Sequence, residues 1–433
     1  MTFLSLSSLL SYFLLAWAVA RRTLAEESLW LNSLMTGVLG LAFLEITVGI
    51  LGRFLPWEYA LWAGGAIGLM ISLFLLRLPP RPVWLRLTLS FSLENIFLFL
   101  IFAVSSALVV KMSLRFSIND EVGMQGHQAF VETILRGNFP PRFIAFPQVP
   151  YRYHYGFTLL AAIFSRSLDI PGFLGIDVLA ILLWVLMLGT MLLLLNSLGI
   201  PKKWLGWGLL FLVFAGGWSW FLAKGEAGGF GPGYQAPQWQ LMYIRHRFIA
   251  PNLVVYFFQH PMSLGIPLML SSLYFFDRWN RKNRPVDLAL SALLLGALSL
   301  AQVMLFLTTL AAYGVIFFVN FFNPRIQRKK NFLAGFFMGI CTITLAFALG
   351  GFFSFSSDLD PQPLVFSWPP GYLRNEYWGR LVPIDRQGSL IYYFSSFGLM
   401  LLLWPFALYR GFRSERILPR FLAINSLIGF LCP

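Results

Sequence analysis

Charge is scarce in this chain: of 433 residues only 12% are Asp, Glu, Lys or Arg, while 58% are hydrophobic and the mean hydropathy is +0.71. A soluble domain has too little interior to hide that much apolar surface, so the composition excludes a water-soluble globular fold. Cysteine is scarcer still. The two present, Cys341 and Cys432, lie in apolar runs with no partner at metal or redox spacing, which excludes a disulfide framework or thiolate metal centre and leaves them as packing residues. Nucleotide motifs are missing too. There is no Walker A sequence, Rossmann glycine fingerprint, HExxH or CxxC pair, and the run "GGFGPG" (Gly228–Gly233) lacks the lysine and the strand-to-helix context of a phosphate loop. No nucleotide cofactor is expected.

What the chain does have is a series of apolar runs near the roughly 20 residues that cross a bilayer. They fall near 3–20, 29–51, 59–76, 92–110, 173–198, 204–222, 261–276, 332–353 and 390–409, and another starts at 417. The run 287–323 is too long for one crossing and reads as a hairpin of two. The pattern predicts an all-α, polytopic membrane bundle of about 11–13 transmembrane helices, with long non-cytoplasmic loops carrying short interfacial helices. A shorter run at 156–168, about 13 residues, is too short to span upright and reads as a tilted or interfacial helix. The first run is preceded by no positive charge and followed by Arg21 and Arg22, so it reads as a membrane helix that starts outside rather than a cleaved leader. The last stretch, "FLAINSLIGFLCP", begins a helix and stops after about half a crossing, as a truncated chain would.

The formal charge is +14, but its cations sit mostly in short loops. Arg21/Arg22, Arg77/Arg81/Arg86, Lys202/Lys203, Arg278–Arg284, Arg325–Lys330 and Arg410–Arg416 can all be cytoplasmic at once if 156–168 does not cross, which is the signature of orientation rather than of nucleic-acid binding. That map puts 111–172, 223–260 and 354–389 on the opposite face. The first two of these long loops contain all four histidines, His127, His154, His246 and His260, together with Asp120, Glu121 and Glu132. Loops of such length are uncommon without a function of their own. Within the membrane, Glu45 is the one acid in mid-helix, while Glu94 and Asp177 lie near helix ends. An acid at that depth suits a proton or ion path and keeps open a transporter or flippase, although no internal repeat of the transporter kind is visible.

The segment "DEVGMQGHQAFVETIL" (Asp120–Leu135) has helical spacing, weakened by Gly123 and Gly126. Were it one helix, Asp120 and His127 would share a face about 10 Å apart along the axis, too far for a direct dyad. "GNFPPRF" ends the helix, and "VPYRYHYGF" then gathers aromatics and His154 around Arg152. Acids at a helix start are also ordinary caps, and tyrosine-rich stretches are common at any membrane surface.

A membrane helix at 92–110, then "NDE" (Asn119–Glu121), a histidine six residues after Glu121, "LRGNFPP" and "YRYHYGFTLLAAIF" together resemble the first external loop of the GT-C superfamily, polytopic glycosyltransferases that use polyprenyl-phosphate sugars. "APNLVVYFFQHPMSLGIPLML" and "LLGALSLAQVMLF" resemble later segments of bacterial members, so the likeness spans roughly 92–350. It implies a loop acid as catalytic base, a lipid-borne sugar donor and transfer on the outer face to a glycan, lipid or protein acceptor in the cell membrane. Family members usually place the acidic loop after the first membrane helix, whereas here three extra helices, 3–20, 29–51 and 59–76, precede it. The chain therefore divides into an N-terminal three-helix segment, 1–91, and a GT-C-like core, 92–433.

Such chemistry needs a base for the acceptor hydroxyl and positive charge for the departing phosphate. Asp120 is the expected base, with Glu121 the second choice and His127 on the acceptor side. Arg152, Arg245 and Arg247, with His154, His246 and His260, are the expected substrate-binding groups, since arginine grips phosphate bidentately. General lipid-headgroup contact is the alternative for the arginines. Asp358 and Asp360 form a DxD that, with Glu121, is able to hold Mg or Mn through hard carboxylate oxygens, or is simply solvated.

Overall fold

The computed structural model describes residues 2–78, 92–115, 126–143, 147, 149, 151–214, 260–322, 328–354 and 399–431. Among them are fourteen α-helices and no strand. These are α1 (Thr2–Thr23), α2 (Leu29–Leu51), α3 (Trp57–Arg77), α4 (Leu93–Arg115), α5 (His127–Leu135), α6 (Gly156–Leu168), α7 (Gly172–Ser197), α8 (Lys202–Phe214), α9 (His260–Lys282), α10 (Pro285–Ala301), α11 (Val303–Phe322), α12 (Arg328–Leu349), α13 (Leu399–Arg413) and α14 (Ile417–Leu431). Seven are long and apolar enough to cross a bilayer: α1, α2, α3, α4, α7, α11 and α12. Outward-facing rings suit a lipid surrounding, with Phe99 69% exposed, Phe318 65% and Phe336 58%. The chain is a polytopic helical membrane protein.

By compactness it falls into two units, Met1–Gly206 with Gln259–Asp360, and Trp207–Phe258 with Pro361–Pro433. The first unit therefore contains the N-terminal three helices together with α4 to α7 and α9 to α12. In the second, α13 and α14 pair through Trp404 Nε1, which donates to Ser426 Oγ at 3.2 Å, and through Gly411 against Ala423.

Two sets of contacts fix the alternation of helices in the first unit. At one end Arg22 donates to the Leu78 carbonyl at 3.0 Å, Arg284 donates to the Thr23 carbonyl at 3.4 Å and Lys282 pairs with Glu26 at 3.2 Å. The loops after α1, α3 and α9 therefore share one end, the basic end. Trp279 packs its ring on Phe317, and Asn331 donates to the Phe317 carbonyl at 2.9 Å, which brings the start of α12 there as well. Helix α9 runs parallel to α11, with Phe276 against both Tyr313 and Phe317, while Ser272 meets Ser291 of α10; α10 and α11 are thus the expected hairpin.

At the opposite end, Arg53, just past α2, donates to the Leu349 carbonyl that ends α12, at 2.9 Å. Helix α6 has both its ends on this side. Ser167 Oγ donates to the Ser5 carbonyl at the start of α1, Arg166 pairs with Glu58 at the start of α3 at 2.6 Å, and the Tyr155 hydroxyl donates to the Leu349 carbonyl at 3.2 Å. So α6 does not cross. It does not lie at the interface either, for eleven of its thirteen residues are buried, packed by α1, α2, α5 and α7. Its small residues permit this: a Cβ at Gly175 of α7 would strike the Ala161 carbonyl and Ser165.

Candidate functional site

His127 opens α5, and the backbone immediately before it decides a question left by the sequence. Gly126 is extended (φ −76°, ψ 157°), so helical phase does not run back through it. The expected single helix from Asp120 is interrupted there, and the shared face of Asp120 and His127 falls with it; glycine, with no side chain to pack, favours the break. Helix α5 ends at Arg136 and Gly137 (φ 95°), and Asn138 then closes a turn on Arg142, accepting from its N–H at 3.2 Å and donating to its carbonyl at 3.1 Å. The returning strand-like segment carries Tyr151, which stacks on Phe130 of α5 at 3.9 Å. This folds the Arg152–Tyr155 segment back over α5.

The result brings two expected site residues together. His127 packs edge-on against Phe157 of α6 at 5.7 Å, and His154 stacks on Tyr153 at 3.7 Å. Burial lowers both imidazoles to about 4, and His154 is lowered further by the proximity of His127. Both rings are neutral at pH 7 and offer lone pairs and N–H groups rather than charge. His154 is 8% exposed, and its Nε2 has no hydrogen-bond partner among the described residues. Arg152 donates to the Ser354 carbonyl at 2.7 Å, tying the segment to the chain just after α12. The other expected residues, Asp120, Glu121, Arg245, His246, Arg247, Asp358 and Asp360, lie outside the described residues. So does the side chain of His260, whose backbone starts α9. Among the described residues no three His, Cys, Asp or Glu side chains converge as metal ligands.

Two residues that the sequence reading passed over complete this end. Arg53 sits in the turn that follows α2, two residues past its last helical position. Its guanidinium lies where a Cβ on Gly350 would be, a position at φ 72° that glycine adopts without strain. Tyr155 also bonds Arg53; burial holds its phenol above the usual range, and Arg53 offsets part of that rise. An arginine just past an apolar run reads as a boundary charge, and no local pattern marks it further.

Below Arg53, Glu45 is wholly buried (0% exposed), and neither carboxyl oxygen has a hydrogen-bond partner among the described residues. The Born cost of moving a bare carboxylate from water to a medium of dielectric about 4 is on the order of 20 kcal/mol. A Cβ on Gly156 would strike both Glu45 Oε1 and the Leu300 carbonyl oxygen, so the two acceptors face the same glycine. That carbonyl is outside the helical ladder. Gln302 is extended (φ −158°, ψ 102°) and breaks α10 from α11, and the Met304 N–H, which would bond Leu300 in a continuous helix, is taken by Gln302 Oε1 at 3.2 Å. Gly156 is also the first residue of α6, a helix with no side-chain cap.

No protein-family model, curated protein or solved structure matches the chain.

Proposed function

We propose that the protein is a membrane glycosyltransferase, moving a sugar from a polyprenyl-phosphate donor to an acceptor hydroxyl on the face opposite the basic loops. The observation that carries the reading is the folding of the Arg152–Tyr155 segment over α5, which brings His127 and His154 together at the end of the bundle away from Arg22, Lys282 and Arg284. By the positive-inside rule that end is non-cytoplasmic. In the sequence the acidic "NDE" segment lies a few residues before His127.

Asp120 takes the proton from the acceptor hydroxyl, with Glu121 beside it. Neutral His127 and His154 orient acceptor hydroxyls by hydrogen bonds. Arg245 and Arg247, flanking His246 in the sequence, are the groups suited to grip the phosphate of the donor as it leaves. Glu121, Asp358 and Asp360 would supply a hard, three-carboxylate donor set suited to Mg or Mn, which when bound would neutralise phosphate charge.

The test is transfer of a labelled sugar from a polyprenyl phosphate by the purified chain in nanodiscs. Asp120→Asn should keep fold and donor binding while reducing turnover about 10²- to 10⁴-fold. Lysine at 245 or 247 should weaken donor affinity, because charge is kept but the planar fork is lost. Undiminished turnover in the Asp120/Glu121 double amide would end the mechanism.

A further inference from the structure

Glu45 has no part in the transfer chemistry, yet it is wholly buried and neither carboxyl oxygen has a hydrogen-bond partner among the described residues. Its two oxygens lack donors, and a backbone acceptor, the Leu300 carbonyl freed by the break at Gln302, faces the same glycine. Two acceptors beside one glycine inside an apolar wall are both served by a single hydrogen shared between them. That glycine is itself the first residue of α6, whose first amides have no partner within their own helix and no side-chain cap.

We propose that Glu45 is a proton-binding site whose occupancy decides which of two helix ends it holds. Protonated, the carboxylic acid donates its O–H to the Leu300 carbonyl and ties α2 to the end of α10. On release the O–H bond breaks, the electron pair stays on the carboxylate, and the proton leaves to water at the end where Arg53 and Tyr155 sit. The carboxylate then turns to the first amides of α6, the helix that carries the His154 segment on its N-terminal side.

The neighbours leave this site to the proton. Tyr155 faces Glu45 from the start of α6, and Arg53, in the turn after α2, is engaged by Tyr155 and the Leu349 carbonyl. Helix α1 presents Tyr12, which lies against Thr47 of α2. Glu58 of α3 and Arg166 of α6 are paired with each other. Asp277, Arg278 and Asp287 of α9 and α10 are engaged among themselves and with Arg281 and Glu27 at the basic end. Arg328, Lys329 and Lys330 open α12 at that same end, and Asp177 lies in the second turn of α7.

The test is independent of transfer activity. Infrared spectra of the full chain in nanodiscs should show, at neutral pH, the carbonyl band of a hydrogen-bonded carboxylic acid that is lost in Glu45→Gln and kept in Asp120→Asn. Because glutamine has the shape of the acid and donates to Leu300 in its place, that variant should fold. A second measurement needs no variant: dicyclohexylcarbodiimide, an apolar reagent selective for protonated carboxyls, should leave an adduct on Glu45 in peptide mass spectra, with labelling lost as pH rises. Absence of both band and adduct at every pH the fold survives would overturn the proposal. Labelling that sodium blocks and pH does not change would overturn it too, in favour of a metal-cation site.

Discussion

At the basic end Arg278, 1% exposed, has Asp287, 0% exposed, at 3.5 Å, the Thr23 carbonyl at 2.9 Å and Glu27 at 3.8 Å. Beside Gly156 an equally buried carboxylate, Glu45, has neither cation nor donor among the described residues. One bundle thus treats two buried acids in opposite ways. Where the requirement is only to hold helices, the charge is compensated on the spot. Where compensation is missing, the group is left able to gain and lose something, and burial makes that exchange energetically large.

Mutation should separate the two most sharply at the paired end. Asp287→Ala leaves Arg278 buried and uncompensated, and should cost about 3–5 kcal/mol, whereas the double change Arg278→Met, Asp287→Leu should be close to neutral. Denaturant titration of the protein in detergent reads both. Glu45→Gln should cost far less than Asp287→Ala; an equal cost would mean that Glu45 is a structural charge like the other.

The next effect is one of pH. His154 is held neutral by burial, its folded value near 4 against 6.5 when unfolded. The unfolded chain therefore binds the proton first on acidification, and stability present above pH 6.5 is lost progressively down to about pH 4, on the order of 3 kcal/mol at the acid limit. Unfolding curves across that window should show this slope, and His154→Gln should flatten it.

A smaller loss is expected from Gly156→Ala, about 1–3 kcal/mol for forcing a methyl between α6, Glu45 and the Leu300 carbonyl. Adding Glu45→Ala should restore part of it, since one of the two obstructing groups is then gone; strict additivity would show that the two residues do not touch. Smallest of all is the exposed rim. Glu26 is lowered chiefly by its bond to Lys282, but it is solvent-screened, and Glu26→Gln should leave the unfolding midpoint where it was.

The spans were legible because about 20 apolar residues in a row have few alternatives to crossing. The hairpin at 287–323 followed from length alone, though not the break at Gln302, whose side chain replaces a helical bond. Helix α6 was ambiguous for a physical reason: thirteen apolar residues suit a tilted or a surface helix equally, and only the tertiary fit of Gly156, Ala161 and Ser165 against neighbours selects a buried one. The start of α5 was misplaced by two turns because the apolar spacing continued through Gly126 while its backbone did not. At the site, His127 and His154 were each recognisable by type, but their meeting depends on the turn closed by Asn138 and the Phe130–Tyr151 stack, which no local pattern encodes.

Helix α6 also constrains how the molecule comes to be made. Thirteen residues extend about 20 Å, against a hydrocarbon core of about 30 Å, so α6 is no span for the insertion machinery to release into lipid. Its first turn nonetheless lies beside Glu45, about 9 Å inward from the end of α2. Backbone without a completed helical ladder is tolerated at such a depth only where protein surrounds it. The walls are α1 and α2, made before it, α7, made directly after it, and the end of α10, made more than a hundred residues later. Helix α6 must therefore wait at the membrane surface while the chain that will enclose it is still being synthesised, and it enters its place from outside as one of the last steps of assembly.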